Sequence, residues 1–149
     1  MAATTHRLCV RRAAGPREVE AALALRHAVF CSEQGVPLAD ELDCRDGEAT
    51  HLVALDGAMV VGTCRLLSEP GDSVRLGRLA VGAEARRRGI GAALLRAAEA
   101  EARAAGARRI VLAAQTAARG LYAAEGYAEH GEPFDDAGIE HVRMEKPLA

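Results

Sequence analysis

Aromatic residues are scarce: two Phe, two Tyr and no Trp, 3% of the 149 residues. A core so short of rings must be built from Leu, Val, Ala and Ile, and the 33 alanines permit close packing. Lysine is nearly absent too, since eighteen of the nineteen Lys and Arg residues are Arg, a bias that genomic base composition explains as readily as phosphate chemistry. Neither sign of charge dominates. A formal net charge of −2 and a pI near 6.2 remove the field that general nucleic-acid binding requires. Cys9, Cys31, Cys44 and Cys64 form no CxxC pair, and the five histidines include no HExxH, so no metal site is expected. Met1–Arg7 has no apolar signal core, and no run of 18 apolar residues occurs anywhere. The cysteines therefore read as reduced thiols, and the chain as cytoplasmic and free of membrane.

A length of 149 residues fits one domain over 1–149, large enough to bury about two-thirds of its unfolded surface. His6–Arg12 reads as a strand, and Pro16 opens a helix carrying Val19, Leu23, Arg26, His27 and Phe30 that ends at Gly35-Val36-Pro37. Asp40–Thr50 is polar and acidic, a loop or loose helical turn. His51–Leu55, an Asp56-Gly57 turn with both residues at positive φ, and Met59–Leu67 predict a hairpin. Glu69-Pro70-Gly71-Asp72 turns into a strand ending Leu79-Ala80-Val81. From Ile90 the period becomes helical, with Ala93, Leu94, Ala97 and Ala98 on one face and a Glu99/Arg103 pair outside. Gly106 stops that helix. A strand over Arg109–Ala113, a short helix over about Thr116–Glu125 closed by Gly126, and a last strand over Ile139–Lys146 complete a mixed α/β domain.

The segment Arg86-Arg87-Arg88-Gly89-Ile90-Gly91-Ala92 carries the most chemistry. Small residues at a helix start let backbone N–H groups approach an anion, the helix dipole favours negative charge there, and arginines add fork-shaped donors. A solvated basic turn with glycines for the start of a helix has the same composition. The Rossmann fingerprint fails because Leu94 stands at the third glycine, and the P-loop fails for want of Gly-Lys-Ser/Thr. What remains, Arg-x-x-Gly-x-Gly after a strand ending Leu-Ala-Val, resembles the acyl-CoA-binding motif of the GNAT superfamily of N-acetyltransferases. Leu121-Tyr122-Ala123-Ala124-Glu125-Gly126-Tyr127 is similar to that family's aromatic-Tyr-x-x-x-Gly-Phe segment, and the order of elements from His6 to Lys146 matches as well. Val29–Pro37, Thr50–Val53, Leu76–Val81, Ala114-Gln115 and Gly138–Met144 together resemble the ElaA-type subgroup, whose acceptors are undefined. Phe30-x-x-Glu33-Gln34 is also similar to a segment of acyl-homoserine-lactone synthases.

The resemblance implies a GNAT fold, with a mixed central sheet and flanking helices, and acetyl-CoA as co-substrate. It places the pantetheine arm against the main chain of Leu79, Ala80 and Val81. It places the pyrophosphate on the loop of Arg86, Arg87, Arg88, Gly89, Ile90, Gly91 and Ala92, and an amide contact at Gln115, where capping the short helix is the other reading. Tyr122 is implied as general acid to the departing thiolate, a phenol being protonated at neutral pH; packing alone would also account for it, and Tyr127 reads as core. The family's glutamate on the fourth strand has no counterpart in Ser73–Val81, which leaves His51, Glu33 and His141 as candidate bases, each histidine having a structural role as its alternative. Arg78 reads either as part of the site or as a salt-bridged strand arginine.

No cysteine has an adjacent base, so direct attack in a ternary complex is expected over a ping-pong route. The expected function is N-acetyl transfer to a small amine. A non-catalytic acyl-CoA-binding regulatory module and a lactone-synthase-like acyltransferase are the rivals. Glu33, Asp40, Glu41, Asp43, Asp46 and Glu48 stand against the lone cation Arg45 in this stretch, which predicts either an attracting face for a cationic amine or an ordinary solvated loop. Neither nucleic acid nor membrane is expected as a partner, and a homodimer stays open.

Overall fold

The computed structural model describes residues 8–148; His6 and Arg7, expected to begin the first strand, lie outside them. Among the described residues, strands β1 (Leu8–Arg12), β2 (Thr50–Asp56), β3 (Met59–Glu69), β4 (Ser73–Val81), β5 (Arg109–Gln115), β6 (Ala128–Asp136) and β7 (Ile139–Pro147) form one seven-stranded sheet. Its order is β1-β2-β3-β4-β5-β7-β6, with β4 and β5 parallel and every other pair antiparallel. Four helices flank it: α1 (Pro16–Arg26), α2 (Leu38–Glu41), α3 (Ile90–Ala104) and α4 (Arg119–Ala124). No helix among the described residues is long and apolar enough to cross a membrane.

Alternation along the strands assigns the two faces. Leu52, Leu66, Leu76, Ile110 and Leu112 meet the apolar stripe of α3, Ile90, Leu94, Leu95, Ala98 and Ala102, in the main core. Val53 and Leu55 point the other way and pack on Ala22 of α1. Each buried Leu contributes about 1.5–3 kcal/mol relative to exposure. The aromatic shortage is met by close approach. At Gly62 a Cβ would lie 2.8 Å from Ile90 Cγ2, so only glycine lets α3 seat this near β3.

Four expectations need correction. A seventh strand, β6, is present where no strand was predicted; its sequence AEHGEPFDD is polar and almost wholly exposed, with Gly131 and Pro133 at a break in its register with β7. Edge strands lack the alternating apolar signal because only one side and one face need a partner. The β2–β3 turn is Gly57-Ala58 between paired Asp56 and Met59, with positive φ at Gly57 alone, one residue later than predicted. On α1 the buried positions are Ala22 and Arg26; in the continuation past Arg26 Val29 is buried and His27 is exposed. Glu99, expected outside, is 4% exposed and faces the core.

Beyond Arg26 the first helix widens into a π-helical segment over His27–Glu33, marked by a Gln34 N–H donating to Val29 O at 3.2 Å. Such widening re-aims side chains and is frequent at functional sites. Here it turns Phe30, Glu33 and Gln34 toward a cavity at the middle of the sheet.

Candidate active site

The parallel ladder between β4 and β5 runs from Ser73↔Arg109 only to Leu76↔Leu112. Past that point the strands part, and a cavity of about 690 Å³ opens between them. A bulge in β4 aids the separation: Arg65 pairs with Gly77 and Thr63 with Ala80, so Arg78 and Leu79 stand opposite Cys64 alone. Arg78 takes the left-handed conformation there, with φ 55°. Leu79, Ala80 and Val81 line the cavity with backbone that no strand pairs on the β5 side among the described residues.

Beside this opening, α3 begins without a side-chain cap and without an acid in its first turn. Gly89, at φ 75°, swings the chain into the helix, and the first helical bond is Ala93 N–H to Gly89 O at 3.1 Å. The N–H groups of Ile90, Gly91 and Ala92 are therefore left without helical partners, a ready anion site. Gly91 and Arg86 line the cavity. Arg86 Nε donates to Val81 O at 3.1 Å, and its Nη2 meets both carboxylate oxygens of Glu33 at 2.9 Å. Arg88 reaches away to Asp56 at 3.2 Å. Ile90 is buried beneath Gly62, so only its main chain can serve the loop. Arg87, Arg88, Gly89, Ile90 and Ala92 do not line the cavity itself.

Tyr122, on α4, lines the cavity at 7% exposure, and its hydroxyl has no hydrogen-bond partner among the described residues. Its ring meets Tyr127 edge-on, centroids 6.1 Å apart. Burial, with the nearby Cys64 adding to it, pushes the phenol above its ordinary value of 10. Its hydroxyl stays protonated at any physiological pH. Cys64 is itself pushed up to about 12 by burial and is no nucleophile; all four cysteines are free.

The three candidate bases separate by geometry. His51 lies on β2 outside the cavity, its Nε2 2.9 Å from Asp46 O, which is a structural placement. Glu33 lines the cavity but is engaged by Arg86. His141, on β7 opposite Gln115, lines the cavity, and its Nδ1 lies 2.7 Å from Ile139 O. A carbonyl only accepts, so Nδ1 carries the hydrogen and the neutral ring keeps its lone pair on Nε2. Stacking on Phe134 at 5.8 Å fixes the ring plane. Gln115 does not cap the following turn; its Nε2 donates to Gln34 Oε1 at 2.8 Å.

The acidic loop is neither of the two things its composition allowed, a free anionic face or an ordinary solvated loop. Arg26, 1% exposed, holds Glu41 at 2.6 Å and Asp46 at 2.6 Å. Arg65, from β3, engages Asp43 with both terminal nitrogens and Asp46 at 3.1 Å. Arg78 donates to the carbonyls of Glu41 at 3.0 Å and Asp40 at 3.4 Å, capping the end of α2. The Arg65 hydrogen bonds hold the Asp43 carboxyl well below the usual aspartate range. Sequence reasoning gave Arg65 no role, yet a charge inside the apolar run of β3 demands a buried partner, and that is the signal that would have found it. Gln34 and Arg75, two further lining residues that sequence reasoning gave no role, carry no such mark.

Residues 16–148 match the family model of the acetyltransferase (GNAT) domain. The chain is 36% identical over 130 residues to YjcF of Bacillus subtilis, named an uncharacterized N-acetyltransferase, covering 87% of this chain and 92% of that protein. The crystal structure of an acyl-CoA N-acyltransferase from Pseudomonas aeruginosa superposes with a TM-score of 0.80 at 28% identity, covering 95% of this chain and 99% of that one. Escherichia coli ElaA shares the fold with a TM-score of 0.79 at 22% identity, over 95% of this chain and 99% of its own. With a parted β4–β5 pair, an uncapped α3 and this match over nearly its whole length, the chain belongs to the GNAT acetyltransferase family, whose general reaction is acetyl transfer from acetyl-CoA.

Proposed function

We propose that this chain transfers the acetyl group of acetyl-CoA to a small amine by direct attack within the cavity, with Tyr122 as general acid and His141 as general base. The observation that carries the reading is that both side chains line the one cavity opened by the parting of β4 and β5, beside the uncapped start of α3. The pantetheine arm runs along the unpaired backbone of Leu79–Val81 as an added strand would. The pyrophosphate rests on the N–H groups of Ile90, Gly91 and Ala92, with Arg86 and Arg87 supplying charge. Gln115 offers its amide to the arm once it leaves Gln34.

The amine lone pair attacks the thioester carbonyl carbon. His141 Nε2 accepts the proton the amine sheds, and the carbon–sulfur bond breaks as Tyr122 gives its proton to the thiolate. Carrying the base on β7 makes good the missing glutamate of β4.

The test is coenzyme A thiol release over a panel of amines. Tyr122→Phe should lower kcat by about 100- to 10,000-fold with acetyl-CoA affinity nearly intact. His141→Gln should likewise lower kcat with acetyl-CoA affinity nearly intact. With chemistry rate-limiting, wild-type turnover in the Tyr122 variant refutes the acid, and wild-type turnover in the His141 variant refutes the base. Coenzyme binding with no turnover on any amine would make the protein a binding module.

A further inference from the structure

On the inner wall of the cavity, away from the coenzyme groove, the charged groups with unused hydrogen-bonding capacity are arginines. Glu41, Asp43 and Asp46 have all six carboxylate oxygens in ion pairs with Arg26 and Arg65. The donors are not used up. Arg78 bonds the carbonyls of Glu41 and Asp40 through Nε and Nη2, and that same Nη2 lies 3.5 Å from Asp43 Oδ2 in an ion pair, so its one donor without a partner is Nη1. Arg75 bonds through Nε alone, to Glu69 at 2.6 Å, leaving both terminal nitrogens. Arg65, with its side chain 5% exposed, has a buried Nε without any partner, facing the position a Cβ of Gly77 would take, 4.0 Å away. All three arginines line the cavity. The lining carboxylates with no arginine partner, Asp40 and Asp136, are exposed side chains at its rim.

Backbone strain marks the same place. Arg78 holds φ 55°, a conformation that costs a residue with a Cβ and gathers where a side chain must be aimed. Burial, and then the positive field of Arg65, press the Arg78 guanidinium toward the neutral form. An incoming anion would relieve that field.

From these observations we infer that the acceptor is an amine that also bears a carboxylate, an amino acid by class, and that Arg78 and Arg75, both on β4 and both lining the cavity, receive the carboxylate while the amine faces His141. The inference rests on the reading of the cavity as an acetyl-transfer site and adds the substrate class to it. The free terminal edge of Arg75 suits a planar carboxylate, which takes paired N–H donors, and Nη1 of Arg78 adds a single donor. A polyamine would find every inner carboxylate occupied.

The experiment compares the twenty common L-amino acids with their carboxamides, which keep the amine and lose only the anion. For the wild-type protein kcat/KM should favour the acid of the best pair at least ten-fold. Arg78→Gln should shrink that ratio about ten- to hundred-fold, the effect of losing a hydrogen bond to a charged group. Because Arg78 also caps α2, Arg75→Gln serves as the second variant, its side chain being exposed and bonded only to Glu69; it should shrink the ratio in the same direction. A wild-type preference for carboxamides or for spermidine, or a ratio unchanged in both variants, overturns the inference. Calorimetric titration of the same pairs into the coenzyme-A-saturated protein separates the two readings. A binding preference for the acids without turnover would sink acetyl transfer and leave the carboxylate subsite standing, and no binding preference would sink the subsite whatever the turnover.

Discussion

Lys146 is the single lysine among nineteen Lys and Arg residues, and the structure gives a reason for the exception. Its Nζ meets Glu99 Oε1 at 2.5 Å and Glu125 O at 2.7 Å, and lies 5.7 Å from the Tyr127 ring centre. A compact ammonium fits this corner, whereas a planar guanidinium would need more room. The lysine thereby neutralises a buried Glu99 and caps the end of α4, the helix that carries Tyr122. In Lys146→Met the Glu99 carboxylate, 5% exposed, loses its close partner, with only the Tyr127 hydroxyl at 3.5 Å and Arg103 at 4.0 Å left near it. Breaking a buried pair costs about 3–5 kcal/mol. With the Lys146 side chain 24% exposed, the low end applies, about 3 kcal/mol. For a domain this size that is a fall in Tm of about 6–12 °C. Adding Glu99→Leu removes the orphaned charge, so the double variant should regain a large part of the loss in a urea melt. The Lys146 variant should also lose kcat through Tyr127 and Tyr122. A loss under 1 kcal/mol, or a double variant no better than Lys146→Met alone, would refute the reasoning.

Three shorter predictions concern the coenzyme loop and acid stability. Gly89→Val forces a β-branched residue to φ 75°, and Gly91→Leu adds atoms beyond a Cβ that already meets Leu121 at 3.1 Å; each should abolish the thermal upshift given by acetyl-CoA, and an undiminished upshift in both would remove the loop from the site. The basic limb of kcat should show no ionisation of Tyr122 up to pH 10, because burial raises the phenol above that value; a Tyr122-dependent fall near pH 9 would contradict it. Asp43, lowered by the Arg65 hydrogen bonds, and Asp46, lowered by Arg26 and Arg65 against an opposing desolvation, both titrate below an unfolded aspartate at about 3.9. Their contribution is complete above about pH 5 and is lost as the pH falls through the folded values, so Tm should be flat from pH 8 to 5 and drop below pH 4, with a shallower acid limb in Arg65→Met.

Local signals carried most of the fold. Pro16 at the start of α1, the turn at Pro70-Gly71-Asp72, Gly106 after α3 and Gly126 after α4 all stand where their conformational limits place them. The segment from β4 into α3 was legible because close backbone approach and an uncapped helix start impose residue types directly. The exceptions are positions whose environment is set by distant chain. β6 is polar because it is an edge, and the apolar residues of its partner β7 face the α3 core. Glu99 sits on an otherwise apolar stripe of α3, where an outward i,i+4 pair with Arg103 was the local reading, but Lys146 comes from 47 residues away to meet it.

The charge layout around the cavity shows the same limit with a consequence for specificity. Read as a window, the stretch from Glu33 to Glu48 holds six acids against one arginine. The cations that answer them enter from α1, β3 and β4: Arg26 reaches Glu41 from 15 residues away, Arg65 reaches Asp43 from 22, and Arg78 adds a longer contact to Asp43 at 3.5 Å. Arg26 and Arg65 are themselves too buried to remain unpaired, so the loop's acids are the counter-charges that let two arginines sit beneath the cavity. That inverts the meaning of the acidic window. The carboxylates are drawn inward to satisfy arginines, their field is cancelled at contact distance, and what the wall still offers an acceptor is the unspent donors of Arg75 and Arg78. A sequence count of charge therefore points to a cationic ligand where the hydrogen-bond ledger points to an anionic one, and the acid-against-amide comparison decides between them.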